Sequence, residues 1–200
     1  MNKRQEVHGM IESERHQHLE RVREFMAQPS VSAETRGVKE CAALLQRYYQ
    51  QLGCQETEIV ETPGLPAVWA YYNADASKTL AIYNYFDSNV EGTGWKYPPY
   101  ESVVIEHAPY KEVLYGRGAG NKGAFIAFLN ALFTIKAVEG TLPVNLMFIS
   151  EGEEFVGSPH VPMLIERYRS HLAQADAVLS PGPCQTPTGD ISFALGNKGC

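Results

Sequence analysis

The sequence predicts a three-layer α/β/α sandwich built on a mostly parallel mixed sheet. Short apolar segments typical of strands alternate along the chain with segments of helical periodicity. One apolar run, residues 143–149, has the character of a fully buried strand. A tight acidic turn separates this run from the next helical segment. In open α/β sheets such strand-to-helix connections line the ligand crevice, so this turn is the first place to look for a site.

Length and composition favour one globular domain and exclude several classes of function. A hydrophobic content of 44% over 200 residues is enough for a single core. The net charge is −6 and the Lys and Arg residues are scattered, so no basic surface is offered to nucleic acid. No apolar stretch has the length of a membrane span, and residues 1–15 are too polar for a signal sequence. We therefore predict a cytoplasmic protein without nucleic-acid or membrane partners, and four widely spaced cysteines argue against a zinc ribbon or a disulfide framework.

The first half of the chain predicts two helices followed by three strands. Apolar residues recur at helical spacing in two sets, Leu19, Val22, Phe25 and Met26, then Val38, Ala42, Leu45, Tyr49 and Leu52. Gly53 ends the second helix. The strands are bounded by Pro, Gly and Asn residues and cover Glu56–Val60, Ala67–Tyr72 and Thr79–Tyr85.

The second half predicts a long connection, a glycine-rich turn and further strand and helix segments. Residues 89–110 are rich in Gly, Pro and aromatic side chains, which favours a ligand-facing connection. The turn at residues 115–123 lacks the glycine spacing of phosphate-binding motifs, so nucleotide binding is disfavoured. It leads into a helix at residues 123–135 that is apolar on nearly all sides and is therefore predicted to be buried between layers. The remaining elements are a strand at 144–149, a helix at 159–170 and strands at 176–179 and 190–195.

The acidic turn at residues 151–158 is the most informative segment for function. Glu153 and Glu154 follow the buried strand, and adjacent carboxylates repel each other when they are ionised. A fold keeps them together where a cation, a shared proton or full solvation offsets that cost. A solvated turn is the commoner explanation of an arbitrary Glu-Glu pair. Here Ser158 and Pro159 resemble an N-cap and a first helical residue, which makes the connection tight and favours metal or proton chemistry.

Several segments resemble the dizinc amidohydrolases and exopeptidases of metallopeptidase family 20. This family includes carboxypeptidase G, aminoacylase, acetylornithine deacetylase, succinyl-diaminopimelate desuccinylase and the carnosine dipeptidases. The matching segments cover nearly all of the chain in order and spacing: residues 28–32, 80–87, Trp95 with 98–100, 114–119 with Lys122 and Gly123, and 151–158. The resemblance implies the catalytic domain of a zinc exopeptidase and a small amide, peptide or acyl-amino acid as substrate.

Carried over by position, the resemblance makes Glu153 the general base and Glu154 a metal ligand. In the family, two metal ions activate a water molecule. The first family ligand is a His that precedes, by two residues, an Asp that orients it, and here Tyr85 and Asp87 stand at those positions. Residues i and i+2 share a face of a strand, so we expect the Tyr85 hydroxyl to be able to approach the Asp87 carboxylate. The candidate catalytic residues are therefore Glu153, Asp87 and Tyr85.

Other ligand positions of the family are replaced. Where the family has a bridging Asp, the chain has only Gly120 and Asn121. Residues 180–183 read Ser-Pro-Gly-Pro where a further acidic ligand is expected. Glu154 is then the only retained ligand, and a single carboxylate holds a divalent ion weakly. Zinc is expected for the family, but the replaced positions predict that it is not bound here as a dinuclear pair, and no other cofactor is predicted.

Four residues are candidates for the substrate pocket, namely Lys122, Asn121, Arg117 and Trp95. Lys122 would place a positive charge near Glu153 and Glu154, although the family shares this lysine and a structural role explains it equally well. Trp95 suits a pocket wall and is also explained by loop packing. Three histidines fall at no family position and are interpreted as surface or capping residues: His107, His160 and His171.

The resemblance leaves two functions open. The first is an enzyme with Glu153 as acid/base and an altered or lost metal dependence, which the retained Glu153 and Glu154 favour. The second is an inactive relative that serves as a binding or assembly subunit, which the replaced ligand positions favour. Residues 1–200 correspond to the N-terminal part of the family's catalytic domain, without its lid or dimerisation domain and its C-terminal catalytic segment. We therefore expect self-association or a second chain that completes the domain.

Overall fold

The described part of the chain contains six α-helices and two β-sheets. The computed structural model describes residues 2–182, 188, 190 and 192. The helices are α1 (Lys3–Ser13), α2 (Arg15–Ala27), α3 (Val38–Leu52), α4 (Ala124–Glu139), α5 (Val161–Arg167) and α6 (Arg169–Leu172). The strands are β1 (Glu56–Val60), β2 (Ala67–Tyr72), β3 (Thr79–Tyr85), β4 (Val103–His107), β5 (Tyr110–Tyr115), β6 (Asn145–Glu151) and β7 (Ala177–Leu179). Among the described residues, no helix combines the length and the apolar character needed to span a bilayer.

The main sheet is mixed and has the strand order β1-β2-β6-β3-β7. β2 runs antiparallel to both of its neighbours, whereas β3 runs parallel to β6 and to β7. Four of the five strands therefore point the same way. β6 lies at the centre of the sheet and all of its residues are buried, which explains the unbroken apolar run in its middle. The predicted mixed α/β fold is confirmed.

Helices cover both faces of the main sheet. Alternate side chains of a strand point to opposite faces, so each strand contributes to both packing layers. Along β2, Val68 and Ala70 face a core shared with α2, α3 and α4. Trp69 faces the other way and stacks on Tyr168, with ring centroids 4.0 Å apart. Residues of α5 and α6 pack on that second face, so the sheet is the middle of three layers.

The sequence predicted some elements well and missed three. The strands β1, β2 and β3 have the predicted bounds, and Gly53 ends α3 in the left-handed conformation with φ 91°. α1 was not predicted, because a capping box between Asn2 and Gln5 starts it but none of its residues is buried, so it has no apolar stripe to detect. The antiparallel hairpin of β4 and β5 was also missed, since it lies largely within the stretch predicted as a connection.

The helix predicted at residues 159–170 is shorter and interrupted. Ser158 was predicted as its N-cap, but Ser158 has a left-handed backbone with φ 53°, and His160 occupies the N-cap position of α5. The segment is interrupted at Tyr168, which ends α5 and precedes α6. The strand predicted at residues 190–195 lies outside the described residues, apart from 190 and 192.

Candidate active site

β3 and β6 end side by side, and the loops that follow them form the candidate site. The two strands are parallel, with Tyr85 opposite Glu151. The Phe86 amide donates to the Glu151 carbonyl at 2.9 Å, which extends this pairing by one residue. Because parallel strands end at the same edge of a sheet, the segments that contain Asp87 and Glu153 come together here.

Asp87 is fully buried and fixes the acidic turn through its carboxylate. One carboxylate oxygen accepts the backbone amide of Glu154 at 3.2 Å, and the other accepts the amide of Phe155 at 3.0 Å. Burial raises the pKa of Asp87 above its ordinary value, and hydrogen bonding from Ser32 and from these two amides offsets only part of that rise. The Asp87 carboxylate therefore holds the backbone of the acidic turn in place.

Tyr85 borders the same turn with its ring. The ring packs edge-on against Phe155, with centroids 5.8 Å apart and an interplanar angle of 78°. The Tyr85 hydroxyl was expected to approach the Asp87 carboxylate. Among the described residues, the hydrogen bonds to this carboxylate come from backbone amides and not from Tyr85. Burial, followed by the charges of Glu154 and Asp87, raises the pKa of Tyr85, so the phenol stays neutral.

Glu153 is held at both carboxylate oxygens. The Leu65 amide donates to Oε1 at 3.0 Å, and Nδ1 of His160 lies 2.7 Å from Oε2. The turn between β1 and β2 approaches so closely that a Cβ on Gly64 would lie 2.1 Å from Oε1, which explains the glycine at this position. Glu153 is only 6% exposed as a result.

The contact between Glu153 and His160 was missed by the sequence analysis. His160 precedes α5 at its N-cap position, so the capping interpretation is right about its place, but its side chain turns back onto Glu153. Gly157 and Ser158 both have left-handed backbones, with φ 96° and 53°, and this reverses the chain between the two partners. A left-handed Ser is uncommon, so the residue types in this segment do not predict the reversal.

Glu151 forms a second buried carboxylate cluster behind the turn. Its Oε1 accepts the hydroxyl of Tyr83 from β3 and the hydroxyl of Ser158 at 2.8 Å. Burial raises the pKa of Glu151, while its two hydroxyl donors lower it and the charges of Asp87 and Glu154 raise it further. This cluster ties the two ends of the acidic turn together.

The described donor set does not fit a pair of zinc ions. Within residues 2–182 and the isolated described positions, no three His, Cys, Asp or Glu side chains are arranged to hold a metal ion. At the position of the family's bridging Asp, Gly120 and Asn121 offer no carboxylate. Tyr85 offers a neutral phenol. Glu154 keeps a half-buried carboxylate whose pKa is raised by burial and by the charge of Asp87.

Two of the predicted pocket residues brace the loops around Asp87. Lys122 is 1% exposed, and its ammonium group donates to the Gln28 carbonyl at 2.5 Å and to the Ser30 hydroxyl at 3.0 Å. Burial lowers the pKa of Lys122. Its hydrogen bonds favour the structural role over a charge placed beside the paired glutamates. The Asn121 amide donates to the Asp87 carbonyl at 2.8 Å, so this residue lies against the site.

The other two predicted pocket residues hold the connection that follows Asp87. Arg117 Nε donates to the Asn89 carbonyl at 3.1 Å. Trp95 Nε1 donates to the Glu91 carbonyl at 2.7 Å, and its ring packs edge-on against Tyr115. Both side chains therefore shape the connection between β3 and β4.

Comparisons with known proteins agree with this architecture. No protein-family model matches the chain. A Cys-Gly metallodipeptidase of Candida albicans is 26% identical over 216 positions, which cover 98% of this chain and 44% of that protein. Human Beta-Ala-His dipeptidase is 35% identical over 111 residues, which cover 54% of this chain and 21% of that protein. The crystal structure of a metallo-carboxypeptidase of the M20 family from Sulfolobus solfataricus superposes with a TM-score of 0.75 and 34% identity, covering 86% of this chain and 38% of that chain.

The fold is that of a metallopeptidase catalytic domain. The homologues and structural neighbours of this chain are M20 family metallopeptidases, which confirms the resemblance predicted from the sequence motifs. The aligned regions span less than half the length of these relatives.

Proposed function

We propose that this chain hydrolyses the amide bond of a small peptide or acyl-amino acid, with Glu153 at its acid/base centre. The observation that carries the proposal is the enclosed Glu153 carboxylate, bonded to the Leu65 amide and to His160. A carboxylate fixed in this way is suited to proton transfer, for which a positioned group contributes about 10² to 10⁴ in rate. The names of two relatives support the substrate class, since they specify Cys-Gly and β-Ala-His dipeptides.

Other residues of the site support this centre. Asp87 fixes the turn through the amides of Glu154 and Phe155. Tyr85 borders the turn beside Phe155. Trp95 and Arg117 shape the connection that would form a wall of the substrate pocket.

We also propose that zinc, which the M20 relatives lead one to expect, is not held here as a dinuclear pair. Glu154 is the one family ligand that the chain retains, and it would bind a single divalent ion weakly. The replaced ligand positions support this proposal, because Tyr85 offers a neutral phenol and Asn121 an amide where the family has a His and a bridging Asp.

The second candidate function is an inactive relative that binds peptides or assists assembly. The same observation favours it: the donor set does not fit the metal pair on which the ordinary family mechanism depends. Turnover discriminates between the two candidates, since a binding subunit retains affinity for a dipeptide without cleaving it.

For assembly, we propose that residues 1–200 form a single N-terminal part of a catalytic domain and that the exposed edge of its main sheet pairs with a second copy or with a second chain. In the described part of the main sheet, β7 lies at the edge, and its Val178 is 72% exposed. Light scattering at micromolar concentration tests this, and a monodisperse, cooperatively folding monomer would contradict it.

The predicted cytoplasmic location stays a prediction.

The test of the proposed function is the cleavage of Cys-Gly and β-Ala-His by the wild-type chain and by Glu153→Gln. The amide keeps the shape of the side chain but loses the basic carboxylate, so we expect kcat to fall by about 10² to 10⁴. Glu166→Gln is the matched control, because Glu166 is exposed and pairs with Arg169 on the surface of α5 and α6. Equal turnover by wild type and Glu153→Gln would remove Glu153 from the mechanism.

A further inference from the structure

Two large apolar side chains are exposed at the acidic turn. Phe155 is 43% exposed and Val156 is 46% exposed, and both follow Glu154 directly. Among the large apolar residues that are exposed in the described part of the chain, they are the only two that are adjacent in sequence. Single exposed apolar residues are common on protein surfaces, whereas adjacent ones form a patch of the kind that binds a ligand.

Hydrogen bonds of the backbone hold this apolar pair in one position. The Phe155 amide donates to the Asp87 carboxylate at 3.0 Å. The Glu153 carbonyl accepts the amide of Val156 at 3.2 Å and the amide of Ser158 at 2.9 Å. The three residues that follow Glu153 form a short 3₁₀ helix. Because the backbone is bonded on both sides of Phe155, the two exposed side chains keep a fixed position relative to Glu153.

Tyr85 adds a second aromatic ring to the apolar pair. It is half-buried, it ends β3 and it lies opposite Glu151. Its ring packs edge-on against Phe155, with centroids 5.8 Å apart, and Phe155 remains exposed beyond this contact. An aromatic ring that is already fixed loses little further freedom when it binds an apolar partner. The strand edge that carries the acidic turn therefore presents a preformed apolar surface.

We propose that Phe155, together with Tyr85 and Val156, receives the side chain of the substrate and makes the chain selective for an apolar side chain beside the scissile amide. This proposal rests on the proposed function and specifies its substrate class. The side chains of Phe155 and Val156 offer neither a charge nor a hydrogen-bond donor, so an acidic side chain would lose water here without compensation. An aromatic side chain gains the most, because it can pack on the Phe155 ring.

Two pairs of dipeptides test this selectivity in the full chain. Phe-Gly is compared with Asp-Gly, and Gly-Phe is compared with Gly-Asp, so that each pair differs only in the side chain on one side of the amide. We expect kcat/KM to favour the phenylalanine peptide about tenfold or more in at least one pair, because discrimination by apolar contacts reaches about 10- to 200-fold. Equal or reversed kcat/KM values in both pairs would overturn the proposal.

Phe155→Ser tests the residue itself. The change removes the ring from an exposed position, so we expect the preference for phenylalanine to fall about tenfold, mainly through KM, while cleavage of the aspartate peptides is unchanged. Phe155→Tyr keeps an aromatic ring and should keep the preference. Ile165→Ser is the matched control, because Ile165 is 46% exposed on α5 and should leave the preference as it is. A wild-type preference in Phe155→Ser would assign the selectivity to other residues and overturn the proposal.

A binding measurement separates failure of this proposal from failure of the proposed function. Amide ¹H–¹⁵N spectra of the wild-type chain are recorded with each of the four dipeptides. We expect at least one phenylalanine peptide to shift the Phe155 and Val156 signals, and its aspartate counterpart to leave them in place. If no dipeptide is cleaved, the proposed function fails, whereas these spectra still judge the apolar surface. Unmoved Phe155 and Val156 signals with both phenylalanine peptides would overturn the inference. Dissociation of a wild-type oligomer in Phe155→Ser, seen by light scattering, would assign the surface to a partner chain and would also overturn it.

Discussion

The acidic turn and the glycine-rich turn reach Asp87 from two sides but contribute different kinds of groups. Backbone amides of the acidic turn donate to the Asp87 carboxylate. The carboxylates of the turn bond instead to other side chains, as Glu153 does to His160. The glycine-rich turn gives side chains, Asn121 and Lys122, and both donate to oxygen atoms of neighbouring loops. In the proposed function, the acidic turn carries the chemistry, and the glycine-rich turn holds the neighbouring loops in place.

The largest expected effect on stability is that of Lys122→Ala, which tests the scaffold role. The change deletes a buried side chain that lies over the Phe25 ring and leaves the Gln28 carbonyl without its donor. We expect a loss of about 3 kcal/mol in the free energy of unfolding, measured by urea denaturation. Lys136→Ala is the matched control, because that half-buried lysine also donates to a helix-end carbonyl, of Leu52, and should cost only about 1 kcal/mol. Unchanged stability with abolished turnover would show that Lys122 belongs to the chemistry instead.

A smaller loss is expected from Asp87→Ala. The amides of Glu154 and Phe155 lose their acceptor in a buried site, and removal of a poorly solvated carboxylate offsets part of that cost. We expect about 2 kcal/mol in the free energy of unfolding, with faster hydrogen exchange of these two amides. Asp176→Ala is the control, since Asp176 is exposed and pairs with Lys78 on the surface, and it should leave the exchange of these two amides unchanged. Unaltered exchange at Glu154 and Phe155 in Asp87→Ala would contradict the account of the turn.

The smallest effect is a change in the pH dependence of stability in Glu151→Gln. Burial raises the pKa of Glu151 above its ordinary value of 4.5, so the folded chain binds its proton more tightly than the unfolded chain does. Stability therefore falls as the pH rises from 4.5 through the folded pKa. The amide does not titrate, so the variant should lose this part of the fall while Tyr83 and Ser158 keep an acceptor. Parallel stability curves for wild type and variant across this range would refute the assignment.

The sequence predicted the elements in which burial sets the spacing of the apolar residues. β1 to β3 have clear boundaries of Pro, Gly and Asn, and the residues of β6 are buried on both faces. The polar helix α1 buries nothing, so it has no apolar periodicity. The hairpin of β4 and β5 pairs only with itself, and its strands are mostly exposed or half-buried.

The site was predicted in part for the same reason. The parallel ends of β3 and β6 bring Asp87 and Glu153 to one edge, as the motif order implies. The partnership with His160 depends on the left-handed backbone of Ser158, which residue type does not reveal. The burial of Lys122 was equally hidden, because a lysine beside glycines usually lies in solvent.

Zinc content decides whether the chain carries out acid/base chemistry at the acidic turn without the family's metal pair, as we propose. The chain is purified without chelators or added metal, and zinc per chain is measured by elemental analysis. A pair of dications about 3.5 to 4 Å apart needs several shared anionic ligands, which the described residues do not provide. We expect well under one zinc per chain. A value close to two would contradict it and restore the ordinary dizinc mechanism.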